Sequence, residues 1–108
     1  MRERDRDYIA RIKEELLFIG KITSHINRDK FLSDETIQRA SSMSLITLGE
    51  CVNHLSDEFR ERHSEIEWAQ IIAIRNIAAH GYWSLNMKQL WQTIEEDVPI
   101  LAEFFDAF

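Results

Sequence analysis

Hydrophobic positions recur every three or four residues along four stretches of the chain, and nowhere does a strand-like alternation persist. In the first stretch Tyr8, Ile9, Ile12, Leu16, Ile19, Ile22 and Ile26 line one helical face. The tetrapeptide Asn27–Lys30 breaks the pattern. "LSDET" restarts it, with Ser33 reading as an N-cap and Asp34 and Glu35 in the first turn. From there Ile37, Ser41, Leu45, Leu48, Val52, Leu55 and Phe59 mark a second face that runs to about Arg62. The third stretch spans about Glu67 to Ala79 and stops against Gly81, a residue suited to the left-handed position after a helix. The fourth starts near Asn86 and keeps Met87, Leu90, Ile94, Val98, Leu101, Phe105 and Phe108 in register. Pro99 falls inside it and is expected to kink that helix or divide it at Val98, leaving a short fifth helix. Four helices with short connections predict an all-α antiparallel four-helix bundle, with residues 1–108 forming a single domain.

The third stretch differs from the others. Trp68, Ile71, Ile72, Ile74, Ile77, Ala78 and Ala79 point in nearly every direction around its axis, and a helix that is apolar all round is buried all round. A bundle of four helices leaves one side of each in water. A second copy of the chain is therefore expected to cover this one, which makes the protein a homodimer.

Within that apolar stretch stands Arg75, whose guanidinium cannot discharge itself by losing a proton. It needs a carboxylate, for which Glu50 is a candidate, or an anionic ligand. His80 follows five residues later, about 140° around and about 7.5 Å along a regular helix. The two can share a groove only if the helix ends between them, and Gly81 says that it does. Taken singly, His80 reads as a helix-end residue, Tyr82 as amphipathic packing and Asn76 as an ordinary polar helix position.

Composition narrows the functional classes. The net charge of −6 excludes a protein that coats nucleic acid by bulk electrostatics. Charge is uneven, however: residues 1–30 carry eight Lys/Arg against six Asp/Glu, whereas residues 64–108 carry two against seven. A polyanion would have to be met locally, and the acidic C-terminal half could face a basic partner. No apolar run approaches the roughly 20 residues that span a bilayer, and no apolar segment follows the charged N-terminus, so neither a membrane anchor nor a secretion signal is expected. Cys51 stands alone, which suits a reducing cytoplasm. His25, His54 and His63 have no metal-ligand spacing, and neither a metal nor another cofactor is expected.

The eight residues Arg75-Asn76-Ile77-Ala78-Ala79-His80-Gly81-Tyr82 resemble the R-x4-H-x-Y motif of HEPN-domain proteins, specifically the HepT-like ribonuclease toxins of HepT/MNT toxin–antitoxin systems. The likeness continues in "RERDRDYIARI", "ITLGECV", "EIEWAQIIAIRN" and "LWQTIEEDVPIL", in the family's order, so it covers nearly the whole chain. Ala73-Ile74 departs from the Gly-Met often found before the Arg-Asn, but keeps small and apolar character. The resemblance implies a homodimeric bundle whose two motifs line a shared cleft, and a metal-independent endoribonuclease with Arg75 and His80 as catalytic residues and Asn76 in support. It further implies an MNT-type nucleotidyltransferase antitoxin able to transfer AMP onto Tyr82.

The chemistry suits these residue types. RNA is cut when its own 2′-hydroxyl attacks the neighbouring phosphate, a step that needs proton transfer and charge stabilisation. Imidazole titrates near neutrality, and a guanidinium is a planar, permanently charged fork for phosphate oxygens. AMP on Tyr82 would place bulk and negative charge where the RNA phosphate must sit. A second reading competes: a catalytically weak HEPN subunit that docks the nucleotidyltransferase or a nucleotide, with Arg75 holding a phosphate.

Overall fold

The computed structural model describes residues 1–108, and every regular element in it is helical. The first stretch forms α1 (Glu3–Thr23), whose buried positions Ile9, Ile12, Leu16, Ile19 and Thr23 follow the 3–4 spacing. Asn27–Lys30 is not the interruption that its loss of periodicity implied. Asn27 accepts the backbone N–H of Lys30 at 2.9 Å and caps a short helix, α2 (Arg28–Ser33), which sinks Phe31 into the core. Ser33 is accordingly the last residue of α2, not the cap of the next helix, and its hydroxyl turns back to the Lys30 carbonyl. Asp34 is the cap, accepting from the Ile37 N–H at 3.0 Å, and α3 runs Glu35–His54.

The second stretch does not continue unbroken to Arg62. Leu55 and Ser56 are extended, and Ser56 Oγ accepts from Phe59 N–H to open a new helix, α4 (Asp57–Arg62). The break is tied down by a buried carboxylate. Asp5, at the start of α1, takes hydrogen bonds from both the backbone N–H and the hydroxyl of Ser56, at 2.8 and 2.7 Å. Further along, Ser44 Oγ donates to the Glu15 carboxylate at 2.6 Å. One pairing joins the start of α1 to the end of α3 and the other joins their middles, so the two long helices are antiparallel.

The third stretch gives α5 (Trp68–Ala78), packed on α3. Trp68 fixes its N-terminal end: the indole N–H is shared between the carbonyls of Arg60 and His63, and the ring lies among Phe59, Phe104 and Phe105. The fourth stretch begins at Asn86, which caps α6 (Met87–Gln92). A π-helical turn, Thr93–Asp97, leads directly into α7 (Val98–Asp106). Pro99 thus leaves its mark close to where expected, just before Val98, but as a widened turn and not as a break. The Val98 N–H reaches back five residues to the Thr93 carbonyl, and helical backbone continues through the position where Pro99 has no N–H to give. α7 closes against α1, and α2 against α6 through Phe31 and Trp91.

Candidate functional site

Two helices meet unusually closely where Arg75 stands. A Cβ added to Gly49 of α3 would lie 2.8 Å from the Ile71 carbonyl oxygen and 3.1 Å from the Arg75 Cβ. Only a residue without a side chain lets α5 approach this near. The next residue, Glu50, is thereby brought to the guanidinium: its Oε2 accepts from Arg75 Nε at 2.5 Å. Arg75 Nη1 donates to Asn76 Oδ1 at 3.0 Å. Of the two partners open to Arg75 from sequence, the protomer itself supplies the carboxylate.

The second oxygen of Glu50 is also occupied. Oε1 lies 2.9 Å from His54 Nε2, and the His54 ring stacks on Tyr8 of α1 with centroids 5.0 Å apart and planes 9° from parallel. Arg75 first and His54 second, both as hydrogen-bond donors, hold the Glu50 carboxyl below the usual carboxylate range. Glu50 was a candidate partner for Arg75 from sequence, whereas His54 did not stand out as a site residue. The i,i+4 placement of Glu50 and His54 on one helix face was the available signal for their pairing.

Arg75 is not sealed in apolar surroundings within one protomer: 39% of its side chain is exposed, with Asn76 and His80 more open still. The apolar character of α5 on several sides led to the expectation that a second copy of the chain covers it. In the protomer only Trp68, Ile71 and Ile74 are buried, and Ile77 stays 43% exposed. A groove of about 520 Å³ runs along Gln70, Ala73, Ile74 and Ile77 toward Leu85 and Leu90.

α5 does end before the histidine. The His80 and Gly81 backbone N–H groups bond to the carbonyls of Ile77 and Ala78, and Gly81 takes φ +121°, a conformation that excludes ordinary side chains. The chain then makes one 3-10 turn, Tyr82–Ser84. The Trp83 indole folds back over Gly81, close enough that any Cβ there would collide with the ring, yet is 83% exposed. Tyr82 is half-buried beneath the Arg39 guanidinium, 4.7 Å from its ring centroid, with the phenol directed to Met87 Sδ at 3.9 Å. Arg75, Asn76 and Glu50 therefore form one cluster. Tyr82 belongs to a separate one with Arg39, and His80 stands in solvent past the helix end, between Arg75 and Tyr82 in sequence. No group of three or more His, Cys, Asp or Glu side chains is placed to hold a metal ion, and no helix is long and apolar enough to cross a membrane.

The sequence that folds into this helical bundle matches a known family. The family model described as "Ribonuclease HepT-like" matches residues 8–108, and the chain belongs to the HepT-like ribonuclease family. A protein of Caldanaerobacter subterraneus subsp. tengcongensis, named "putative RNase", is 34% identical over 98 residues, covering 91% of this chain and 88% of its own length. A "probable ribonuclease HepT" of Thermococcus cleftensis is 30% identical over 106 residues, covering 98% and 96%. A "putative RNase" of Methanocaldococcus jannaschii is 28% identical over 100 residues, covering 92% of each chain. No solved structure matches the chain.

Proposed function

We propose that the protein is the toxin of a toxin–antitoxin pair, a metal-independent endoribonuclease that cuts RNA with Arg75 and His80. The observation that carries this reading is the hold on Arg75. Glu50 takes Nε and Asn76 takes one hydrogen of Nη1, so the guanidinium is oriented while the rest of its Nη edge remains open. That edge is the part of arginine that grips two phosphate oxygens at once. As the 2′-hydroxyl attacks, negative charge grows on the phosphoryl oxygens, and a fixed guanidinium stabilises it without having to reorganise. His80 takes the proton from the 2′-hydroxyl or gives one to the departing 5′-oxygen, a role for which its exposure at a chain turn leaves it free. No step requires a metal.

A homodimer completes the site. The exposed Ile77 and the groove beside Ala73 and Ile74 are the uncovered side of α5, and a second α5 laid there would bring two motifs to one cleft. The partner that silences the toxin is an MNT-type nucleotidyltransferase, which AMPylates Tyr82. The phenol sits on the residue next but one to His80, so an added AMP puts bulk and negative charge next to the proposed catalytic histidine and repels an RNA phosphate.

The alternative, a catalytically weak subunit that docks the transferase or a nucleotide, draws support from Glu50, because its carboxylate already neutralises Arg75 in the free protein. Cleavage separates the two readings. Purified protein in excess EDTA is expected to cut single-stranded RNA, and Arg75→Ala and His80→Ala each to lose on the order of 10²–10³ in rate while keeping the parent's mass in solution. Equal cutting by both variants would sink the enzyme. For the modification, transferase and ATP should add AMP mass to the parent and none to Tyr82→Phe.

A further inference from the structure

We propose that His54 is a positioning residue of the ribonuclease site, acting on Arg75 through Glu50. The inference rests on the ribonuclease reading for its kinetic consequence and on the structure for its geometry.

A glutamate held by one partner keeps rotational freedom about its terminal torsion, and that freedom passes to whatever it binds. Glu50 is held at both oxygens: Oε1 by His54 Nε2 at 2.9 Å, and Oε2 by Arg75 Nε. An ionised carboxylate only accepts, so His54 donates, and its Nε2 carries the proton in this arrangement. The imidazole is fixed in turn. Its ring stacks on Tyr8, Arg11 lies 5.7 Å from the Tyr8 centroid, and Arg4 Nε donates to the His54 carbonyl at 2.9 Å. A line of contacts thus runs from α1 through the last turn of α3 to α5, and ends on the guanidinium that faces the phosphate.

All three polar groups in the line are about two-fifths exposed, so the contact adds little to folding. Its effect is on direction. With the carboxylate plane set by His54, Glu50 keeps to Nε of Arg75 and leaves the Nη groups to Asn76 and to a phosphate. Without it, Glu50 can swing and take an Nη group, which removes the phosphate-binding fork. Misplacement of this kind is costly in catalysis even where stability hardly changes.

Two substitutions isolate the role. His54→Phe keeps a ring on Tyr8 and removes the donor, while His54→Gln keeps a donor of similar reach. Both are compared with the parent for thermal midpoint, for RNA cleavage, and for the ¹⁵Nε–¹H cross-peak of Arg75. His54→Phe is expected to lose about tenfold in kcat with KM within about twofold and to move or broaden the Arg75 cross-peak. His54→Gln should restore both, with all thermal midpoints close together. An unmoved cross-peak in His54→Phe overturns the proposal whatever the activity does, and so does a His54→Gln variant as impaired as His54→Phe. A parent that cuts no RNA overturns the ribonuclease reading alone, since the cross-peak still decides whether His54 orders Arg75.

Discussion

The two ends of α5 are built for opposite purposes. At its N-terminal end Trp68 is buried among Phe59, Phe104 and Phe105, and even its one polar atom is satisfied twice. About 10 Å away, at the helix rise of 1.5 Å per residue, the same helix carries Arg75, then exposed Asn76 and Ile77, and His80 follows in solvent just past its end. One end removes apolar surface from water and fixes where the helix starts. The other leaves polar groups open and holds only one of them, Arg75, by an ion pair. The lesson is that rigidity at the C-terminal end is borrowed. Arg75 is oriented because the opposite end and the α3 contact leave α5 nowhere else to lie.

That contrast can be broken from its stable side first. Trp68→Ala should cost about 3–5 kcal/mol in a urea unfolding curve, the usual penalty for emptying a large aromatic site. RNA cleavage per folded molecule should fall as well, because the end that holds α5 in place is lost. A loss below about 1 kcal/mol would show that the aromatic end does not anchor the helix.

A smaller effect is expected where the two purposes touch. Gly49→Ala pushes a methyl into the Ile71 carbonyl and the Arg75 Cβ, so α5 must lift from α3. The cost should be about 1–3 kcal/mol, and cleavage should fall further than the stability loss explains, because Glu50 and Arg75 separate. Destabilisation with unchanged cleavage per folded molecule would mean that the close approach serves packing alone.

The smallest effect is in acid. Arg75 and then His54 depress the Glu50 carboxyl, so in the folded protein it stays ionised at a pH where the unfolded chain has begun to take up the proton. The stabilisation is whole above the ordinary carboxylate range and fades as pH falls through the lower folded value. The parent should therefore lose more stability between about pH 5 and about pH 3 than Glu50→Gln does. Exposure keeps the difference to a fraction of the total. Parallel curves for the two proteins would remove Glu50 from the acid response.

Much of this was legible in the hydrophobic spacing. Most positions read as lining α1, α3 and α7 are buried, although Tyr8, Ile22 and Ile37 are only half-buried and Phe108 is exposed, and α5 was placed to within a residue at each end. The errors cluster where local chemistry competes with periodicity. Leu-Ser-Asp-Glu occurs twice, at 32–35 and 55–58, and it was taken as a helix start only the first time. In the first copy Asp34 caps and Ser33 ends α2, whereas in the second Ser56 caps, because Asp5 reaches across from α1 to hold its N–H and hydroxyl. A tertiary hydrogen bond chose between two capable caps, and no window of the sequence contains it. The π turn before Pro99 is similar: spacing located the irregularity, but continuous helical backbone depends on packing along the rest of α6 and α7. At the site, Arg75 stood out because a charge in an apolar helix demands a partner. His54 did not, since its role appears only when α3, α1 and α5 are brought together.

The central claim is that Arg75 and His80 act on a phosphodiester attacked by its own neighbouring hydroxyl. The most direct measurement is cleavage of an RNA oligonucleotide beside the same oligonucleotide carrying one 2′-deoxy sugar at the cut position. The account predicts that the all-ribose strand is cut to a 2′,3′-cyclic phosphate end and that the single deoxy substitution abolishes cutting there. Equal cleavage of the two strands at that position would contradict it.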